Sequence, residues 1–254
     1  MAKSREVKIA VVGDASQLQR EMQKARASMG DFGAATDRAQ SALGSFLIGG
    51  AAIVGAKKLV DAAAELEQAV GGTAAVFGSA SDAVSEFSKN AAQLAGLSEN
   101  AARTLTSRLG ASLKGVGLSS EEAAKQSIFL AQTGADLAAT LGGSAEEAVT
   151  ALGAALRGEF DPLERFGIAL KASDIAAKAV SMGLAENAND VSQYAKGQAA
   201  LALITEKSAF AQGQFARESN TAAGAAAIAR AEAQNTAEDY AKNVKNKLNT
   251  LKRS

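Results

Sequence analysis

Paired carboxylates are the residues best placed to do chemistry in this chain. Glu121-Glu122, Glu146-Glu147 and the trio Glu159, Asp161 and Glu164 set acids next to one another or within one helical turn. Two carboxyl groups held on either side of a bond can share general-acid and general-base work, as glycosidases do. Nothing else supports such a role. The sequence has no histidine and no cysteine, which removes thiol catalysis, imidazole bases, disulfides and the usual zinc ligands. No nucleophile stands beside a base. Each glutamate pair follows a serine, Ser119-x-x-Glu122 and Ser144-x-x-Glu147, and this is the capping-box signature of a helix start. Acids in a first helical turn also complement the helix dipole. The expectation is therefore a chain without catalytic, cofactor or metal residues.

The elements that would carry these acids are helices. Of 254 residues, 47% are hydrophobic, yet alanine dominates them and aromatics make up only 4%. Alanine favours helix strongly and buries little area, so the composition suits long, thinly packed helices better than a globule with a deep pocket. The single proline leaves room for long uninterrupted helices, while 24 glycines divide or loosen them. Charge balances at 27 against 27, so no overall field draws the chain to nucleic acid, and specific DNA contact is not expected.

The proline sits in the densest local pattern, RGEFDPLERFGIAL. Asp161 reads as an N-cap, Pro162 suits the first helical position and Glu164 completes an Asp-x-x-Glu box. Gly167 reads as a left-handed stop. Phe160, Leu163 and Phe166 share one side of the turn, so the block Gly158, Glu159, Phe160, Asp161, Pro162, Leu163, Glu164, Arg165, Phe166 and Gly167 encodes an anchored corner.

Elsewhere, alternation over residues 6–12 predicts one short N-terminal strand, followed by a helix over 17–29. Residues 39–56, AQSALGSFLIGGAAIVGA, carry no charge and approach the length of a membrane span, but their glycines, serines and glutamine make a poor one. Phe46, Leu47, Ile48, Ile53 and Val54 are their apolar anchors. From residue 59 a heptad runs through Leu59, Leu66, Val70, Phe77, Val84, Phe87 and Leu94, a candidate self-association seam. It crosses Gly71-Gly72 and Gly78, leaving open one long helix or two with a flexible join. Further starts are marked at Ser98, Ser119, Ser144 and Ser173, and a helix is expected over 191–215. Beyond Arg217 the chain is poor in large apolar residues and reads as a rod with a basic end, Lys242, Lys245, Lys247, Lys252 and Arg253. A solvated face explains that end more simply than phosphate contact does. The organisation is thus 1–38, strand and helix; 39–56, apolar segment; 57–216, helical region with the corner; and 217–254, rod. The fold class is mainly α, an alanine-rich helical bundle or coiled-coil-like elongated assembly.

Four stretches resemble the N-terminal conserved region of bacteriophage tail tape measure proteins: VKIAVVGDASQLQREMQKA, KKLVDAAAELEQAVGGTAAVFGSASDAVSEFSKNAAQLAGLSE, ALGAALRGEFDPLERFGIAL and LALITEKSAFAQGQFARESNTAAG. The block from Gly158 to Gly167 is the specific part. The resemblance implies an extended helical scaffold inside the tail tube, in several copies, a trimer rather than a hexamer. It implies tail tube protein, tail assembly chaperones and tail-tip proteins as partners, and a role in setting tail length. It places the chain in the host cytoplasm during assembly, then in the virion, with release ahead of DNA and possible contact with the host membrane at ejection. A membrane-active helical protein that inserts 39–56 is the alternative. Members of the family are longer, so a chain reaching Ser254 implies a short tail or a piece of a longer protein. A fully helical chain of this length would span only about 380 Å.

Overall fold

In the computed structural model, residues 52–251 are described, and every regular element among them is helical. The expected strand over 6–12, the helix over 17–29 and the apolar anchors Phe46, Leu47 and Ile48 lie outside the described residues. Ile53 and Val54 fall in the first turn of helix α1, Ala52–Phe77. Among the described residues, no helix is long and apolar enough to cross a membrane.

Helix α1 runs through Gly71-Gly72 without a break and stops at Gly78, whose φ of 55° ends it in a short 3-10 turn, Gly78–Ala80. The heptad is therefore one helix across the glycine pair and broken afterwards. It continues as α2, Ser81–Lys89, and α3, Ala91–Ala95. An α-helix drifts relative to a strict 3.5-residue repeat. The buried stripe of α1 accordingly follows Ala69, Thr73 and Phe77, while Val70 is 47% exposed. Phe77, Val84 and Phe87 face the chain's own core, Leu66 is half-buried and Leu94 is exposed. The middle of the candidate seam thus packs within the single chain. Leu59 lies in the first half of α1.

The core is built on α4, Glu99–Gly115, α5, Ser120–Leu141, and α6, Ala145–Leu156. Helix α5 packs extensively against both neighbours, and α4 also touches α6. Serines start all three. Ser98 accepts the Ala101 N–H, and Ser119 and Ser144 form full capping boxes with Glu122 and Glu147, as their spacing requires. Leu109, Leu113, Leu130, Leu137 and Leu152 fill the interior. Phe77 reaches in where Gly110 leaves room: a β-carbon there would lie 2.3 Å from the ring. Lys114 Nζ then donates to the Val76 carbonyl at 2.7 Å, so the end of α1 is tied to α4.

After α6 come the corner helix α7, Asp161–Glu164, and a pair, α8, Ala172–Ser181, and α9, Gln193–Ser208. The pair encloses a smaller cluster, Ile175, Ala179, Val191, Ala195, Ala199 and Ala200, with Phe160 and Leu203 packed against both this cluster and the main core. Helix α8 starts two residues earlier than a Ser173 cap would place it, with Lys171 in the N-cap position. Its first turn is closed by Asp174, whose carboxylate accepts the Lys171 N–H at 3.1 Å. The single helix expected over 191–215 is interrupted by a 3-10 turn, Ala209–Ala211, and by Gly213 at φ 74°. Helix α10, Gln214–Glu218, follows and packs on α5. The rod is one helix, α11, Ala222–Leu251. It lies against α3, α4 and α10, within the same compact unit as the rest of the chain from Lys58 onward.

Candidate functional site

The corner is made by two consecutive helix stops. At the end of α6 the Gly158 N–H bonds the Ala155 carbonyl at 3.0 Å and the Glu159 N–H bonds the Ala154 carbonyl at 3.0 Å. With Gly158 at φ 93°, these bonds form a Schellman motif, which satisfies carbonyls that a helix end otherwise leaves open. The same arrangement closes α7: Gly167 to Glu164 at 3.0 Å and Ile168 to Leu163 at 3.2 Å, with Gly167 at φ 69°. Leu163 and Ile168 are both buried, as the apolar contact accompanying this motif requires. The left-handed stop predicted at Gly167 is present.

The start of the corner differs from the sequence expectation. Phe160 occupies the N-cap position with helical backbone angles, and no side chain caps α7. Asp161 is the first helical residue and Pro162 the second, so the Asp161-x-x-Glu164 box does not form. The reason is that Asp161 has already entered the helix, where its carboxylate cannot fold back to cap the following amides. Pro162 still sits where its missing N–H leaves no helix bond unmade.

The block divides by face. Leu163 and Phe166 are buried in the core, and Phe160 bridges the two apolar clusters. Gly158, Glu159, Asp161, Pro162, Glu164, Arg165 and Gly167 are exposed. Arg157 pairs with Glu159 at 3.3 Å and donates to the Gly153 carbonyl at 3.0 Å, closing the α6 end. Arg165 spans the corner: it stacks over Phe166 at 5.0 Å from the ring centre and reaches Glu147, in the α6 capping box, at 3.4 Å. Such exposed ion pairs contribute little energy and chiefly fix orientation.

Beside this face lie two apolar side chains that the sequence did not single out. Leu141 is 47% exposed and Phe210 is 54% exposed. Both flank Gly167, whose β-carbon, if present, would lie 3.3 Å from Leu141 and 3.7 Å from Phe210. They come from opposite ends of the sequence around the corner, so no local periodicity links them.

Of the paired carboxylates, Glu122 and Glu147 cap their helices, as their spacing from Ser119 and Ser144 suggests. Glu122 Oε2 accepts from Ser119 Oγ at 2.7 Å and from the Ser119 N–H at 3.0 Å, and these bonds, the hydroxyl's above all, hold its carboxyl below the usual glutamate range. Glu121 pairs with Lys125 one turn on, at 3.4 Å. Glu147 accepts the Ser144 N–H at 3.1 Å. Among the described residues, no three acidic side chains converge on a point that would hold a metal ion. A cleft of about 250 Å³ between the α5–α6 junction and α11 is lined mainly by alanine and glycine, with Glu146, Glu218 and Arg230 as its charged residues. Nothing in it pairs a nucleophile with a base.

A carboxylate that sequence spacing could not reveal ties α10 to α5. Asp136, in the last third of α5, accepts the Gly213 N–H at 2.8 Å and the Phe215 N–H at 3.0 Å. It serves α10 as a cap donated from a distant helix.

Comparison of the chain with protein-family models, with curated proteins and with solved structures returns no match.

Proposed function

We propose that this chain is a helical scaffold of a bacteriophage tail, a tape measure protein that lies within the tail tube and sets its length. The observation that supports the reading is the corner. The residues carrying the family resemblance, Gly158 to Gly167, are those whose apolar side chains lock into the core and whose charged side chains all face outward. Two left-handed glycines fix this geometry, and an exposed Leu141–Phe210 pair adjoins it. Such a surface suits protein contact during assembly rather than turnover of a substrate.

On this reading the chain associates with further copies, as a trimer, and with tube protein, assembly chaperones and tail-tip proteins. It passes from the host cytoplasm into the virion. Helix α11 begins the measuring segment. Heptads inserted after Asn246, beyond the last contact of α11 described above the core, should lengthen tails by about 10 Å each, following the helical rise. Tails of unchanged length, from particles that contain the lengthened chain, would count against the ruler.

A further inference from the structure

Helix α11 rests in a groove that holds it by position-specific polar ties. Gln93 donates to Glu232 at 2.7 Å, and the Glu99 N–H donates to Asn235 Oδ1 at 2.7 Å. Ser98 Oγ donates to Glu238 at 3.3 Å, and Lys245 pairs with Glu67 at 2.5 Å. Among the α11 residues whose burial is described, Ile228 is the one large buried side chain, beside Gly224, Ala231 and Ala241. Alanine and glycine bury little area, so along this stretch it is the polar ladder that specifies register.

The turn that folds α11 back is crowded. Only Ser219, Asn220 and Thr221 separate α10 from α11. The Thr221 N–H and hydroxyl both bond the Glu218 carbonyl at 2.8 Å. A β-carbon at Gly224 would lie 2.1 Å from the Glu218 carbonyl oxygen and 2.9 Å from Ser219 Cα, a collision with backbone that no rotamer relieves. The base of the turn is fixed, because Asp136 anchors the first amides of α10 to α5. From Gln214 to Leu251 the sequence contains no proline. If the turn straightens, α10 and α11 can join as one helix of roughly 57 Å. The polar ladder of the straightened helix then has no partner in its own chain.

We propose that the α11 groove is an exchange site: with the Glu218–Gly224 turn opened, α11 of one copy occupies the groove of a second copy of this chain. The occupant is the same helix that fills the groove within one chain, so every tie to Gln93, Ser98, Glu99 and Glu67 is reproduced between chains. What distinguishes the two forms is the turn alone, the usual condition for domain exchange. This inference rests on the turn and the groove and is independent of the tail assignment.

The chain has no cysteine, so introduced thiols report the exchange cleanly. Full-length Gln93→Cys and Glu232→Cys chains are unfolded together, refolded at high protein concentration and oxidised. Exchange predicts a disulfide-linked dimer several-fold more abundant than from a mismatched pair, Lys125→Cys with Glu232→Cys. Adding Gly224→Ala to both chains should raise that fraction further, because the closed turn cannot hold the new methyl. Circular dichroism of Gly224→Ala checks that it remains helical. The double variant Gln93→Cys/Glu232→Cys, oxidised when dilute, gives the within-chain link. Linked dimer no more abundant than in the mismatched pair, with the within-chain link intact, overturns the proposal whatever Gly224→Ala does.

Discussion

The corner and the α11 strap are both helical, and both are held to the same three-helix core, yet by opposite means. The corner is locked by large apolar side chains: Leu163, Phe166 and Ile168 are almost wholly buried, and their backbone ends are closed by two left-handed glycines. The strap is held by a ladder of polar contacts, with Gly224, Ile228, Ala231 and Ala241 buried alongside it. Apolar burial gives strength without much selectivity, whereas spaced hydrogen bonds give register at little net energy, about 1 kcal/mol apiece. The difference separates an anchor from a part that can be exchanged.

The largest effect should come from emptying the anchor. Phe166→Ala should lower stability by about 3–5 kcal/mol, the range for a fully buried phenylalanine, seen as a cooperative loss in denaturant unfolding. Gly167→Ala should cost about 1–2 kcal/mol, since alanine must adopt the left-handed backbone at φ 69°. A loss under a few tenths would mean that the stop is not fixed in solution. Next, two caps that look alike in sequence should separate. Ser144→Ala removes an observed capping box and should cost about 1 kcal/mol, while Asp161→Ala removes no cap and should stay within about 0.5 kcal/mol. Equal effects would erase that distinction.

The smallest effect belongs to the strap and depends on pH. Burial pushes the Glu238 carboxyl above the ordinary glutamate range. The nearby Glu99 and Asp239 charges add to the shift, and hydrogen bonds from Ser98 and the Asn100 N–H oppose it. A raised value means that the docked helix binds the proton more tightly than the free one. The resulting contribution to docking is present below the ordinary glutamate value and is lost as pH rises through the raised one. Amide exchange over residues 228–241, corrected for its intrinsic pH dependence, should therefore show firmer protection at about pH 4 than at pH 7. Glu238→Gln should flatten that difference, while the Phe166 region should not share it.

Much of this contrast was legible in the sequence, and the part that was not has a common cause. The boxes at Ser119 and Ser144, the Ser98 cap and the Gly167 stop follow from spacing within one turn, and they occur where spacing put them. The Asp161 box failed by one residue, because a helix start can slide by that much without changing its apolar face. The heptad drifted off the buried stripe at Val70 through the mismatch between 3.5 and 3.6 residues per turn, while Leu94 lies on a separate helix past the break at Gly78, where the heptad phase no longer applies. Asp136 at Gly213 and Phe215, Asn235 at Glu99, and the Leu141–Phe210 pair join residues far apart in the chain. No local pattern encodes such meetings. Within the region read as a rod, residues 222–251 form one helix, α11, and its fold back onto α3 and α4 depends on a three-residue turn with no strong signature.

The tail-scaffold reading is tested most directly by assembling the full chain with a tail tube protein and imaging the tubes by electron cryomicroscopy. The account predicts helical density along the tube lumen, in three copies, with tube length set by the chain. Tubes that form equally well with an empty lumen, while the chain remains outside in the soluble fraction, would contradict it.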